Sequence, residues 1–294
     1  MNQIINNVYM KHLNFETIDD VNKFRYMTRT SQALYLSEQI QSFIKIIDKH
    51  IVYYFNTTKK LWVQVSDLEY SNFVIFYFNE SIKIINRIKK DADEIDEEIA
   101  KQLKNLCSLF DNMAYVDDII RRSFSLLLDK EFLINLDSVA SLFPIKNGQK
   151  IDLKLLEISE RTINDYFSYE SNVEFIHGET PHADIFFNQV MPNNEDREYL
   201  RKVLGYTLTG ETCARSFFIW FGKGSNAKSF IARLIELILN KQFHQCDQSI
   251  FIKTSKSSKG QATPELMTLL GKRCSIYSEG ETSDQIEMNL AGLK

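Results

Sequence analysis

The sequence predicts a mixed fold, α+β and α/β, in which a mainly helical N-terminal domain precedes an α/β core. Three observations carry that prediction. All ten glycines lie at or after Gly148 and all four prolines at or after Pro144, so the first 143 residues lack the strongest breakers of regular structure. Apolar residues recur there at helical spacing. Much later, FFIWFGKGSNAKSFIARLIELILN (Phe217 to Asn240) reads as an apolar strand, a turn of small residues and an amphipathic helix.

Taken in order, Leu34, Ile40, Phe43, Ile46 and Ile47 fit one face of a helix through Thr30–Ile51. Ile99, Leu103, Leu106, Leu109 and Phe110 fit a second through Asp93–Asn112, and a third covers Asp117–Leu128. IVYYFN and LWVQV are aromatic and β-branched, which favours short strands, while FVIFYF is compatible with a strand or a buried helical turn. Residues 1–143 form one mainly helical region, 144–210 a turn-rich segment, and 211–294 the α/β part. In the middle segment Asn147-Gly148 sits between apolar runs, a hairpin signal. Ser159 to Phe175 reads as irregular, and the run from Asp196 reads as a helix ending near Gly205 or Gly210. Trp62 and Trp220 are expected in cores.

Composition narrows the classes. Apolar residues make up 44% and charged residues 25%, the proportions of a soluble globular chain. A net charge of −4 provides no global basic field for nucleic acid, though a local basic channel is compatible with it. The four cysteines are far apart and the five histidines form no ligand cluster, so the expectation is reduced thiols and no zinc site. His177 and His182 flank a Gly-Glu-Thr-Pro turn, and a surface or core role is expected for them rather than metal binding. No apolar run approaches the roughly 18 residues of a membrane span, and MNQIINNVYM lacks the order of a signal peptide. The chain is expected to stay in the cytoplasmic compartment where it is made.

The run Gly222 to Ser229, G-K-G-S-N-A-K-S, matches the phosphate-loop pattern G-x-x-x-x-G-K-[ST] except that Ala227 replaces the second glycine. The context of strand, loop and helix is the one such a loop needs, because amides at a helix N-terminus favour anions. Gly222, Gly224, Ser225, Asn226 and Ala227 would wrap the phosphates, Lys228 would reach the β- and γ-phosphates of ATP, and Ser229 would place its hydroxyl on Mg²⁺. A near-helical torsion at Ala227 would accept the extra methyl without strain. Asn226 tolerates left-handed torsions better than most residues. The plain alternative is a glycine-rich turn that only joins a strand to a helix.

An ATP site also needs a carboxylate at the end of a neighbouring strand. Arg273–Ser278 is a candidate strand with Glu279 and Glu281 just beyond it. At this point the pattern resembles the superfamily 3 helicases, and among them the poxvirus-type primase-helicases of nucleocytoplasmic large DNA viruses and related phage and plasmid proteins. The loop is similar to that family's G-x-G-x-N-G-K-S, and GKRCSIYSE with Asn289-x-x-x-x-Lys294 is similar to its G-K-R-hydrophobic-S-E and N-x-x-x-x-K. YLRKVLGYTLTGETCARSFFIWFG resembles the segment leading into the loop, and the stretch from Leu142 to Glu170 resembles the domain before the ATPase. The resemblance covers roughly residues 50–294.

It implies a P-loop, AAA+-like ATPase core preceded by an accessory domain (50–143 with 144–210), in a homo-hexameric, ATP-driven helicase acting on single-stranded DNA beside replication proteins such as a primase or polymerase factor. Lys228 and Glu279 would be catalytic, and Ser229 and Glu279 would hold Mg²⁺. Ser278 stands where many members have the first of two acids, which puts metal binding on Glu279, helped by Glu281. The family's Gly-Gly-Asp stretch, sensor, DNA-binding hairpin and arginine finger do not occur in these 294 residues, so the expectation is a truncated core: an N-terminal fragment that binds nucleotide, hydrolyses weakly or not at all, and does not unwind. Lys253, Lys256 and Lys259 are candidate phosphate contacts for DNA or a solvated loop. The other class of function is a non-catalytic adaptor module of a replication complex.

Overall fold

The computed structural model describes residues 3–8, 10–91, 96–222, 224, 226–246 and 267–278. It is mixed helix and sheet, and divides into two compact units: Met1–Ser138 with Thr162–Ser168, and Val139–Arg161 with Tyr169–Lys294.

The first unit begins with α1 (Gln3–Asn6), α2 (Ile18–Tyr26) and α3 (Arg29–Ile40). A capping box starts α2: Thr17 Oγ1 accepts from the Asp20 amide, and the Asp20 carboxylate accepts from the Thr17 amide at 2.9 Å. The helix expected through Thr30–Ile51 stops at Ile40, because Ile44, Ile46 and Ile47 enter a strand. That strand, β1 (Ile44–Asp48), pairs antiparallel with β2 (Ile51–Asn56), which pairs with β3 (Leu61–Val65). Ile44 faces Tyr54 and Phe55 faces Trp62, so β-branched and aromatic side chains meet across the ladder. Cross-strand pairing has overridden the helical spacing, and Leu34, placed on the apolar face of that helix, is exposed.

Then come α4 (Asp67–Asp91), α5 (Glu97–Phe110), α6 (Met113–Leu126) and the short α7 (Phe132–Asn135). FVIFYF lies inside α4, which buries Tyr70, Phe73, Val74, Tyr77, Phe78, Ser81 and Ile85, a 3–4 spacing. Its aromatic rings interlock with neighbours, Phe78 with Phe110 at 4.6 Å and Phe73 with Phe43 at 6.3 Å between centroids. The polar tips that burial would strand are bonded: Tyr70 Oη to Ser123 Oγ at 2.7 Å, and Tyr115 O–H to Gln32 Oε1 at 3.0 Å. Trp62 is buried and its indole N–H donates to the Ile163 carbonyl at 3.0 Å.

The second unit opens with an antiparallel meander of β4 (Leu142–Ile145), β5 (Gln149–Asp152) and β6 (Glu157–Glu160). The Asn147-Gly148 turn joins the first two strands, both residues in the left-handed region (φ 66° and 76°). The stretch after β6 is largely irregular, as the sequence suggests, apart from a single 3₁₀ turn at Ile163–Asp165 in the first unit. Next come α8 (Pro181–Val190), begun by its proline, and α9 (Asn194–Leu208), capped by Asn193 Oδ1 on the amides of Glu195 and Asp196. Last come α10 (Lys228–Leu239), β7 (Phe243–Gln245) and β8 (Cys274–Ile276), the two strands pairing in parallel with Phe243 opposite Cys274. Among the described residues the buried cluster of this unit is Phe143, Ile145, Leu200, Ile231, Ile235 and Leu239, with Trp220 packed at its edge.

Phe217–Phe221 is not the buried strand that its composition predicts. It makes no ladder with the described residues, and Phe217, Phe218, Ile219 and Phe221 are exposed by 56%, 40%, 66% and 90%. Aromatic content favours a strand only where a partner edge supplies hydrogen bonds, and Phe217–Phe221 pairs with no strand among the described residues.

Candidate functional site

The site grows from the start of α10. Ile231, Ile235 and Leu239, four residues apart, are the buried stripe that fixes this helix against Phe143, Ile145 and Leu200. Its C-terminal end is held as well: Ser171 Oγ donates to the Ile238 carbonyl at 2.6 Å and Asn240 Nδ2 to the Glu170 carbonyl at 3.0 Å. Phe230 packs on Phe186 of α8 with centroids 5.0 Å apart. The N-terminal end, in contrast, is left open. Ala227 occupies the cap position without a side-chain cap, and the first amide to enter the ladder is that of Ile231, to the Ala227 carbonyl at 3.0 Å. The amides ahead of it pair with no group in the helix and, among the described residues, with none outside it, as the first donors of a helix do.

Ala227 takes φ 62° and ψ 8°, a left-handed conformation. This corrects the near-helical torsion expected for it: the chain must reverse just before Lys228, and Ala227 carries that reversal. The two described glycines serve different ends. Gly224 has φ 96° with open space around it, so it supplies torsion. Gly222 has an ordinary φ, but a Cβ there would lie 1.7 Å from Asn226 Nδ2, so it supplies room. The Lys228 ammonium turns back over the loop and donates to Asn226 Oδ1 at 2.9 Å and to the Gly222 carbonyl at 3.3 Å. Ser229 is exposed in the first turn of the helix.

Thus Gly222, Gly224, Asn226, Ala227, Lys228 and Ser229 are brought into one loop and helix start, with a positive charge in front of unspent amides. Such an arrangement suits an anion. Ser225, Glu279, Glu281 and the lysines 253, 256 and 259 lie outside the described residues. Among the described residues no cluster of His, Cys, Asp and Glu has the makings of a metal site, and His177 and His182 are exposed. No helix among them is long and apolar enough to cross a membrane. The four cysteines are free; Cys213 is exposed, while burial pushes Cys274 up to about 11.

One residue was not singled out from the sequence. Arg273, just before β8, donates from its guanidinium to the carbonyls of Ala140 (3.2 Å), Leu142 (2.7 Å) and Leu208, and to Gln242 Oε1, and it lies 5.5 Å from the centre of the Phe143 ring. It ties the end of α9 and the start of β4 to the loop before β7. An arginine bordering a strand carries no signal of this in sequence, because its acceptors are backbone carbonyls more than 60 and 130 positions away.

No protein-family model matches the chain. Over 235 residues it is 27% identical to the "Putative helicase L207/L206" of Acanthamoeba polyphaga mimivirus, covering 78% of this chain and 24% of that protein. Over 193 residues it is 23% identical to the "Putative helicase 121R" of Invertebrate iridescent virus 3, covering 63% of this chain and 20% of that protein. The chain spans about a quarter or less of the length of these curated relatives. Its similarity is therefore to segments of viral proteins that carry helicase names, a viral helicase-like relationship.

Proposed function

We propose that this chain is the ATP-binding part of a viral-type replicative DNA helicase of superfamily 3, related to the primase-helicases. The observation that carries the reading is the loop itself: Lys228 folded over Gly222 and Asn226, in front of a helix whose first amides have no partner among the described residues. Those residues fit a polyphosphate. The Lys228 ammonium and the amides at the start of α10 are the donors that would meet it, and Gly222 and Gly224 leave the backbone accessible. Lys228 would contact the phosphate oxygens, the amides of Lys228 and Ser229 would donate to them, and the Ser229 hydroxyl, with Glu279, would hold Mg²⁺. When bound, the metal supplies charge neutralisation between phosphate oxygens. Single-stranded DNA, a homo-hexameric ring and neighbouring replication proteins are the partners this reading brings with it, and helicase-named relatives support the nucleic-acid part.

The test is thermal. Saturating Mg-ATP should raise the melting temperature; at a ligand concentration of 100 times Kd the stabilisation is about 2.7 kcal/mol. Lys228→Ala should remove that shift. A shift that survives the substitution moves the site elsewhere, and an unshifted wild-type chain leaves the adaptor reading in its place.

A further inference from the structure

We infer that Asn226 is a positioning residue: its carboxamide holds the Lys228 ammonium in the loop mouth, and position 222 is glycine to make room for that carboxamide. This rests on the nucleotide-binding reading above and assigns the division of labour within the loop. The Lys228 Nζ is 2.9 Å from Asn226 Oδ1 and 3.3 Å from the Gly222 carbonyl oxygen. Both acceptors are neutral, and among the described residues no carboxylate pairs with Lys228. Two neutral oxygens restrain an ammonium without cancelling its charge, so the full charge remains for an incoming phosphate. A carboxylate at position 226 would form an ion pair instead, and a phosphate would have to displace it.

The glycine argument is steric and independent of the hydrogen bonds. Because Gly222 has no positive φ, torsion does not require glycine there. Space does: an added Cβ meets Asn226 Nδ2 at 1.7 Å and Asn226 Cγ at 3.0 Å, whereas Lys228 Nζ is at an ordinary 3.5 Å. Asn226 is thus the obstacle to a side chain at 222. The three residues interlock, each fixing the second through the third.

A double-mutant cycle tests this on the whole chain, with two readouts: melting temperature without ligand, and Kd for Mg-ATP by calorimetric titration. A hydrogen bond to a charged group is worth about tenfold or more in affinity. Asn226→Ala should therefore weaken Mg-ATP binding about tenfold, and Gly222→Ala should weaken it at least as much by expelling the same carboxamide. The double variant should bind like Asn226→Ala alone, not with the roughly hundredfold loss that two independent effects would give. Without ligand, Gly222→Ala should melt lower than wild type and the added Asn226→Ala should restore the loss. Asn226→Asp should bind Mg-ATP at least tenfold more weakly with no drop in ligand-free melting, a split that mere loosening of the loop would not produce. Additive losses in the cycle, or wild-type affinity in Asn226→Ala, overturn the inference while leaving nucleotide binding intact. If wild type does not bind Mg-ATP, or Lys228→Ala binds as well as wild type, the nucleotide reading fails and the assignment to Asn226 fails with it.

Discussion

Ala227 holds a backbone conformation that its own methyl disfavours, at the one place in the loop where the chain turns into α10. A left-handed L-residue costs roughly 1–2 kcal/mol. Glycine would remove that cost but add freedom to the unfolded chain, worth roughly 0.4–1 kcal/mol in the other direction. The torsional term is larger, so Ala227→Gly should stabilise the chain by about 0.5–1 kcal/mol, read from the urea midpoint at unchanged m-value. A loss of stability would mean that the methyl packs usefully where it is. Arg273 presents the opposite case, a side chain whose value lies in its reach. Its removal takes a donor from the carbonyls of Ala140, Leu142 and Leu208 together, of which Ala140 keeps the Gly210 amide. Arg273→Ala should cost about 2–4 kcal/mol, and Arg273→Lys should recover only part of it because an ammonium cannot present the same fork of donors. The lysine and glycines of the loop were legible in sequence because their chemistry is local. The torsion of Ala227 and the role of Arg273 were not, since the first depends on how the loop enters the helix and the second on carbonyls distant in the chain.

Among the elements, local signals held where the local hydrogen bonds decide and failed where a neighbour decides. The aromatic strands β2 and β3 and the Asn147-Gly148 turn follow directly from residue type. The helix through Thr30–Ile51 overshoots because Ile44, Ile46 and Ile47 satisfy helical and strand spacing alike, and only the edge of β2 selects between them. Phe217–Phe221 fails for the converse reason, a strand-like composition that pairs with no strand among the described residues. Where an end is set by its own side chains, the outcome can be computed. At the start of α2 the Thr17 hydroxyl, with the amides of Thr17 and Glu16, holds the Asp20 carboxyl below its ordinary value. A lowered carboxylate contributes stability that is present above the unfolded-state value and lost as pH falls through the folded one. Asp20→Asn should therefore be less stable than wild type at neutral pH, with the gap closing as pH falls below the ordinary carboxylate range. Thr17→Ala, which removes the other half of the box, should cost about 1 kcal/mol. Urea midpoints measured from neutral to acid pH test both, and a gap that persists unchanged in acid would exclude the charge.

At the scale of the whole molecule, the two units differ in how much they bury. The first encloses a continuous aromatic core that includes Phe24, Tyr70, Phe73, Tyr77, Phe78, Phe110 and Tyr115, with its hydroxyls bonded inside. The second buries a short stripe of α10 with Phe143, Ile145 and Leu200, and leaves Phe217, Ile219, Phe221 and Phe230 exposed. Apolar burial stabilises by about 25 cal/mol per Å², so the first unit should outlast the second in denaturant. The cysteines report on each unit separately. Cys107 lies half-buried on α5 in the first, and Cys246 and Cys274 flank the β7–β8 pair in the second. Burial raises the pKa of all three thiols, that of Cys274 to about 11, so near pH 8 the folded chain holds them protonated and unreactive. The exposed Cys213 reacts without unfolding and is replaced by serine for the measurement. Pulsed labelling with a thiol reagent across a urea series should then modify Cys246 and Cys274 at lower urea than Cys107. Added Mg-ATP should move the first transition upward and leave the Cys107 transition in place, because a ligand stabilises only the unit whose unfolding releases it. Three thiols that become reactive together would instead overturn the ranking of the two units.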